Sequence, residues 1–306
     1  MNDFAYNLSR RTASLFWDSA DAARAARKTV ELVDAEALTA GAAEPASLAD
    51  CRLGQVAYVE LEGAVTDAQD LFLQLLDARA ADEGARLVIA CPLEAVDLVY
   101  ARTSPDRTEI LAAATDVERQ LALVAAFAAP QHDAVGELNG EEGLRIQRLA
   151  DEVGRIAKSL AALADGEAPR GAVSDGLVGF RSPFLPNGGE EGIDAEDIRA
   201  IIRLRRLRDR FFAAELFADP AWDMLLDLMA ARIDRTKVSV SSLCIAAAVP
   251  PTTALRWIKT LTDQGLFRRV QDPHDARRVF IELSDTAAAG MRGYLVAAKA
   301  TGGLAV

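Results

Sequence analysis

Residues 238–284 read VSVSSLCIAAAVPPTTALRWIKTLTDQGLFRRVQDPHDARRVFIELS, and this stretch decides the fold of the C-terminal part of the chain. The spacing predicts a short helix over 241–248, a turn at Val249-Pro250 and a second helix from about Pro251 to Gln264. Proline opens that second helix, where its missing N–H costs nothing, and Gly265 ends it. A short helix, a tight turn and a second helix make a helix-turn-helix. Leu243, Val249, Ala254, Ile258 and Leu261 take the buried positions, and Trp257 is expected in the core. Thr252, Thr253, Arg256 and Lys259 are left on the exposed face. Downstream, the strand-forming runs FRRV and RVFIEL flank QDPHDAR, whose Asp and Pro residues favour a turn. The result is a β-hairpin carrying Arg268, Arg269, Arg277 and Arg278, followed by Ser284 as the cap of a last helix. Upstream, Ile201, Leu204, Leu207, Phe211 and Leu216 repeat at helical spacing, and Pro220 opens a further helix.

The charge around this segment differs from that of the whole chain. The 306 residues include 34 Lys or Arg and 46 Asp or Glu, a net of −12 with a pI near 4.8. Taken as a single figure, that excess of acid argues against a polyanionic partner. Residues 165–193 hold 7 of the 20 glycines and 3 of the 11 prolines, so they read as a linker that divides the chain. From residue 199 onward there are 17 basic and 11 acidic side chains, a net of +6, which leaves −18 on residues 1–198. Such asymmetry is expected when only one domain meets a polyanion. It also leaves the acidic half able to compete for the basic face.

The expected organisation is an α/β domain over 1–135, a connecting or dimerisation helix over 136–165, a linker over 166–198 and the basic domain over 199–306. With 51% apolar and 26% charged residues, both domains can build a core. Three dispersed cysteines without a CxxC pair and only two histidines give no disulfide framework or metal cluster. No signal peptide and no apolar span is visible, so a cytoplasmic protein with no membrane partner is expected.

In the acidic half, TASLFW, LVDAEALT, QVAYVEL, RLVIACP and TEILAAA alternate with amphipathic helical runs. Near-continuous apolar strands between helices indicate a parallel sheet covered on both faces, in a doubly wound, flavodoxin-like arrangement. Glycine-rich phosphate loops and a GxSxG elbow are both missing from the sequence, so neither an enzyme nor a cofactor is expected. Between the domains, Ile146, Leu149, Val153, Ile156, Leu160 and Leu163 recur in steps of three and four. Leu149, Val153, Ile156, Leu160 and Leu163 are therefore the candidate dimerisation seam, the alternative being a helix packed on its own domain.

Taken together, Leu243-Cys244, Leu261, Gly265-Leu266, Arg269, Asp272-Pro273, Asp275, Arg277 and Leu283-Ser284 resemble a winged helix-turn-helix of the MarR type, over about 211–300. The resemblance implies double-stranded DNA as partner, with residues 252–260 in the major groove and Arg277 in the minor groove. By its own chemistry, Arg256 has the donor fork for a guanine edge or a phosphate, and Lys259 and Arg268 suit phosphates. The full expected contact set is Ser241, Thr252, Thr253, Arg256, Lys259, Thr260, Arg268, Arg269, Arg277 and Arg278.

The layout of the acidic half is similar to the receiver domains of response regulators, though its residues depart from their pattern. Glu60 and Glu62 stand where an acceptor Asp is expected, Asp18 is left of an acidic pair, and Cys91 replaces a hydroxyl residue. The expectation is a homodimeric transcription regulator whose receiver-like domain senses a protein partner or small ligand without phosphotransfer. Two alternatives stand beside it, namely a protein-interaction adaptor and a regulator with an atypical phospho-acceptor.

Overall fold

The computed structural model describes residues 11–49, 51–129 and 193–300. The seam residues Leu149, Val153, Ile156, Leu160 and Leu163 and the linker up to 192 lie outside the described residues. Everything described belongs to one compact unit, in which the N-terminal and C-terminal parts pack together.

The N-terminal part is a five-stranded sheet in the order β2-β1-β3-β4-β5, parallel at every pairing. Its strands are β1 (Thr12–Trp17), β2 (Glu36–Ala42), β3 (Val56–Glu60), β4 (Arg86–Cys91) and β5 (Thr108–Ala112). The helices are α1 (Ala20–Leu32), α2 (Asp67–Glu83), α3 (Val96–Arg102) and α4 (Asp116–Ala128). Alternate residues of each strand divide between two layers, because successive side chains point to opposite faces. Leu15, Tyr58, Val88 and Leu111 pack with Val30 of α1 and Leu123 of α4. Phe16, Val59, Ile89 and Ile110 belong to the layer of Phe72 and Leu76 of α2 and Val99 of α3. With five strands and helices on both faces, this is a flavodoxin-like α/β arrangement.

Helix boundaries follow local chemistry. The Thr66 hydroxyl caps α2 by accepting from the Gln69 N–H, and Thr115 caps α4 by accepting from Glu118. Each third-position side chain returns a bond to the cap backbone, completing a capping box. The second strand begins later than the apolar run LVDAEALT suggests. Leu32 ends α1, Val33 is buried at its C-cap, and Asp34 turns the chain at φ 54°. β2 is thus an edge strand formed mostly by exposed small residues.

The C-terminal part contains α5 (Ala195–Leu207), α6 (Pro220–Asp234), β6 (Val238–Ser239), α7 (Val240–Ala246), α8 (Pro251–Asp263), β7 (Phe267–Gln271), β8 (Val279–Leu283) and α9 (Asp285–Ala300). β6, β8 and β7 form a small antiparallel sheet in that order. Helix α5 starts at Ala195, inside the expected linker, because Asp194 caps it through a box with Asp197. It ends at Leu207, so Phe211 and Leu216 fall outside it, and Leu204 and Leu207 are exposed within it although all four repeat at helical spacing. Leu226, Leu243, Ile258, Leu261, Ile281 and Leu283 continue the same apolar core as the α2 and α3 face of the large sheet.

Two glycines carry separable demands. Gly265 sits at φ +70° after α8 with open space around its missing Cβ, whereas a Cβ on Gly54 would lie 2.6 Å from the backbone oxygen of Thr12. Gly265→Ala is expected to cost about 1–2 kcal/mol through left-handed backbone alone. Gly54→Ala should cost more, since rigid backbone must move. Urea unfolding of both variants gives the comparison, and an equal or reversed order would contradict it.

Candidate nucleic-acid interface

The helix-turn-helix is built from local signals. Ser239 caps α7 by accepting from Ser242 N–H at 3.2 Å, and Pro251 occupies the first turn of α8. At the hairpin tip the Asp272 carboxylate accepts from His274 N–H, and Asp275 accepts from Arg277 N–H. These side-chain turns shape the wing without help from a partner.

Most of the side chains expected to contact DNA meet the N-terminal domain. Arg256 donates from Nε to Glu109 Oε1 at 2.8 Å, and Lys259 donates from Nζ to the Pro105 carbonyl at 2.9 Å. Thr252, expected on the exposed face, is only 2% exposed and donates from Oγ1 to the Ala112 carbonyl at 3.2 Å. Its burial follows from α8 lying against β5, the edge strand of the large sheet. The Asp97 carboxylate accepts from both the backbone N–H and the hydroxyl of Ser241, at 2.8 and 2.5 Å.

The wing reaches the same surface. Arg269 stacks its guanidinium 4.4 Å from the Tyr100 ring centroid and donates to the Tyr100 carbonyl at 2.6 Å. Arg277 pairs with Asp67 at 2.8 Å and with Asp70 at 3.0 Å. Arg102 of α3 forks onto Asp70 and also donates to the Ala276 carbonyl of the wing tip at 3.1 Å. Burial alone would raise the Asp70 carboxyl, but the Arg102 and Arg277 guanidinium groups hold it below the ordinary carboxylate range.

Arg268, Arg278 and Thr260 have partners inside the C-terminal part. Arg268 forks onto Glu282, Arg278 pairs with Asp275 at 3.6 Å, and Thr260 donates to the Arg256 carbonyl. Thr253 is half-buried, as is Trp257, which packs on the edge of the core. The acceptors Asp67, Asp70, Asp97 and Glu109 escaped sequence reasoning. The acidic surplus of residues 1–198 was the one available signal, and it does not say which carboxylates meet the wing.

At the C-terminal ends of β1 and β3 the acidic side chains find partners within the N-terminal part, although Asp18 Oδ1 is buried without one. Glu60 is 2% exposed, accepts from the Tyr58 hydroxyl, and pairs with Arg119 of α4 at 2.9 Å. Asp18 accepts from the backbone N–H groups of Glu62 and Gly63. Burial pushes the Cys91 thiol up to about 12, which keeps it protonated at neutral pH.

A family model described as a winged helix DNA-binding domain matches residues 232–287, from the end of α6 to the start of α9. Residues 232–287 are thus similar to a winged helix DNA-binding domain. No match is found among curated proteins.

Asp70, 6% exposed in its side chain, is the shared anchor of Arg102 and Arg277. Asp70→Asn should lower stability at pH 7 by about 2–3 kcal/mol, because two cations lose a charged partner. A depressed carboxyl stabilises the fold above its unfolded pKa, and that contribution disappears as pH falls through the lower folded value. The gap between wild type and variant should therefore close in acid below the ordinary carboxylate range. Urea melts at neutral and acidic pH would refute this if the gap stayed constant.

Proposed function

We propose that the chain is a DNA-binding transcription regulator with a MarR-like winged helix, working as a homodimer in the cytoplasm. In this reading α8 enters the major groove and Arg277 of the wing enters the minor groove. The receiver-like domain takes its input from a protein or small ligand and not from phosphorylation, in keeping with the engaged state of Glu60, and it carries out no catalysis.

One observation carries the reading. Arg256, Lys259, Arg269 and Arg277 come from α8, β7 and the hairpin tip, yet all four meet one continuous surface of the N-terminal domain. They therefore share one face of the winged helix, as a phosphate-reading surface requires. Arg256, with its planar donor fork, is the residue suited to a guanine edge, and Lys259 acts as a point charge for phosphate.

A second reading, in which the winged helix is a protein-docking module, has one specific support. The same face already binds a protein surface, that of its own chain. Retention on duplex DNA separates the two.

The full-length chain is expected to bind a labelled duplex at low salt, with affinity falling steeply as salt rises. Lys259→Ala should weaken binding to unrelated sequences uniformly and reduce the salt slope by about one. Arg256→Ala should cost about 1–3 kcal/mol on the preferred sequence. Anisotropy titrations over a salt series check these outcomes. Loss of neither affinity nor salt slope in the two variants would leave only the docking reading.

A further inference from the structure

We infer that the acidic face of the N-terminal domain is a built-in latch that occludes the DNA-reading face, so the closed chain is the inactive form. This inference rests on the DNA-binding reading and concerns its regulation.

The latch is made of groups that stand in for phosphates. Asp67 and Asp70 of α2, Asp97 of α3 and Glu109 of β5 supply carboxylates to Arg277, Ser241 and Arg256. Backbone carbonyls of Tyr100, Pro105 and Ala112 fill the donors of Arg269, Lys259 and Thr252. A guanidinium forks onto a carboxylate as it does onto a phosphate, so each latch contact uses a donor that DNA would need. The blockade is also steric. Reading a major groove requires a whole helix face to enter it. The α8 face is packed on β5, with Thr252 and Leu255 buried there. Closure and groove entry cannot coexist in one molecule.

The closure is also built to release. Arg256 and Arg277 are each about half exposed, so their ion pairs are only partly shielded from water. Between α8 and β5 lies a cavity of about 30 Å³ lined by Tyr100, Thr108, Ile110, Leu255, Arg256 and Lys259. The Thr108 hydroxyl is buried without a hydrogen-bond partner. Because DNA binds only the open form, its apparent dissociation constant is the intrinsic one divided by the open fraction. Any partner that takes the α2, α3 and β5 acidic face for itself must therefore raise DNA affinity.

The test uses the full-length chain and a labelled mixed-sequence duplex at low salt. The latch variant is Asp67→Ala/Asp97→Ala/Glu109→Ala. Its control, Glu31→Ala/Glu44→Ala/Asp82→Ala, removes the same charge from exposed positions of the N-terminal domain away from the seam. Hydrogen exchange in α3 and α8 reports opening independently of DNA. The expected result is faster exchange in both helices of the latch variant and DNA binding at least about tenfold tighter than wild type, with the control close to wild type. If exchange rises but affinity does not, the seam exists and the inhibition does not. An equal gain in the control would reduce the effect to general charge and overturn the latch. Tight wild-type binding matched by the latch variant would also overturn it, leaving the DNA reading intact. No binding by any of the three proteins would sink both.

Discussion

A carboxylate with almost no exposure ties the N-terminal part of the chain to the wing. Asp70 sits near the start of α2, where Arg102 of α3 and Arg277 of the wing converge on it. A charge taken out of water must be paired, and this one is paired from two sides by residues far apart in sequence. Arg102 extends the linkage by donating to the Ala276 carbonyl, so α2, α3 and the hairpin tip are tied at a single point. The helix-turn-helix then has little freedom to sit elsewhere. With the wing fixed, α8 falls along β5 and α7 meets Asp97 at α3. The placement of the winged helix is thus shared between this buried acid, the contacts of α7 and α8, and the apolar core common to both parts.

That geometry accounts for the charge distribution. A net of −12 says little about what the chain binds, because it combines an acidic part with a basic part that lie in contact. Each domain carries an unbalanced charge that would be costly alone, through repulsion within itself. Contact between them neutralises the facing rows. In the open form proposed above, both rows would return to water, and the basic one would become available to a polyanion with greater charge density than four carboxylates.

The winged helix was legible because its signals are local. Pro251, Gly265, the Asp272-Pro273 turn and the Ser284 cap each act within a few residues of themselves, and α7, α8, the hairpin and α9 lie where those signals put them. The strands of the large sheet were legible as apolar runs, except β2, where Leu32 and Val33 belong to the helix before it. The docking of one part on the other could not be read. It depends on contacts between residues more than a hundred positions apart, such as Ser241 with Asp97 and Arg269 with Tyr100. Thr252 shows the consequence. Helical periodicity puts it on the outside of α8, and only the presence of β5 turns that outside into an interior.

The docking also answers a structural need of the sheet. β5 is an edge strand, and an uncovered edge with free carbonyls invites pairing with another chain. Helix α8 covers it: Thr252 satisfies the Ala112 carbonyl, and Leu255 and Ile110 are buried nearby. Opening therefore exposes an apolar edge together with the basic face, so the open form gains most from a partner that covers one of the two. In the proposed reading duplex DNA would cover the basic face, and a protein seated on β5 and α3 would cover the other. The two would stabilise the same open state without touching each other, which is the condition for positive coupling between sites.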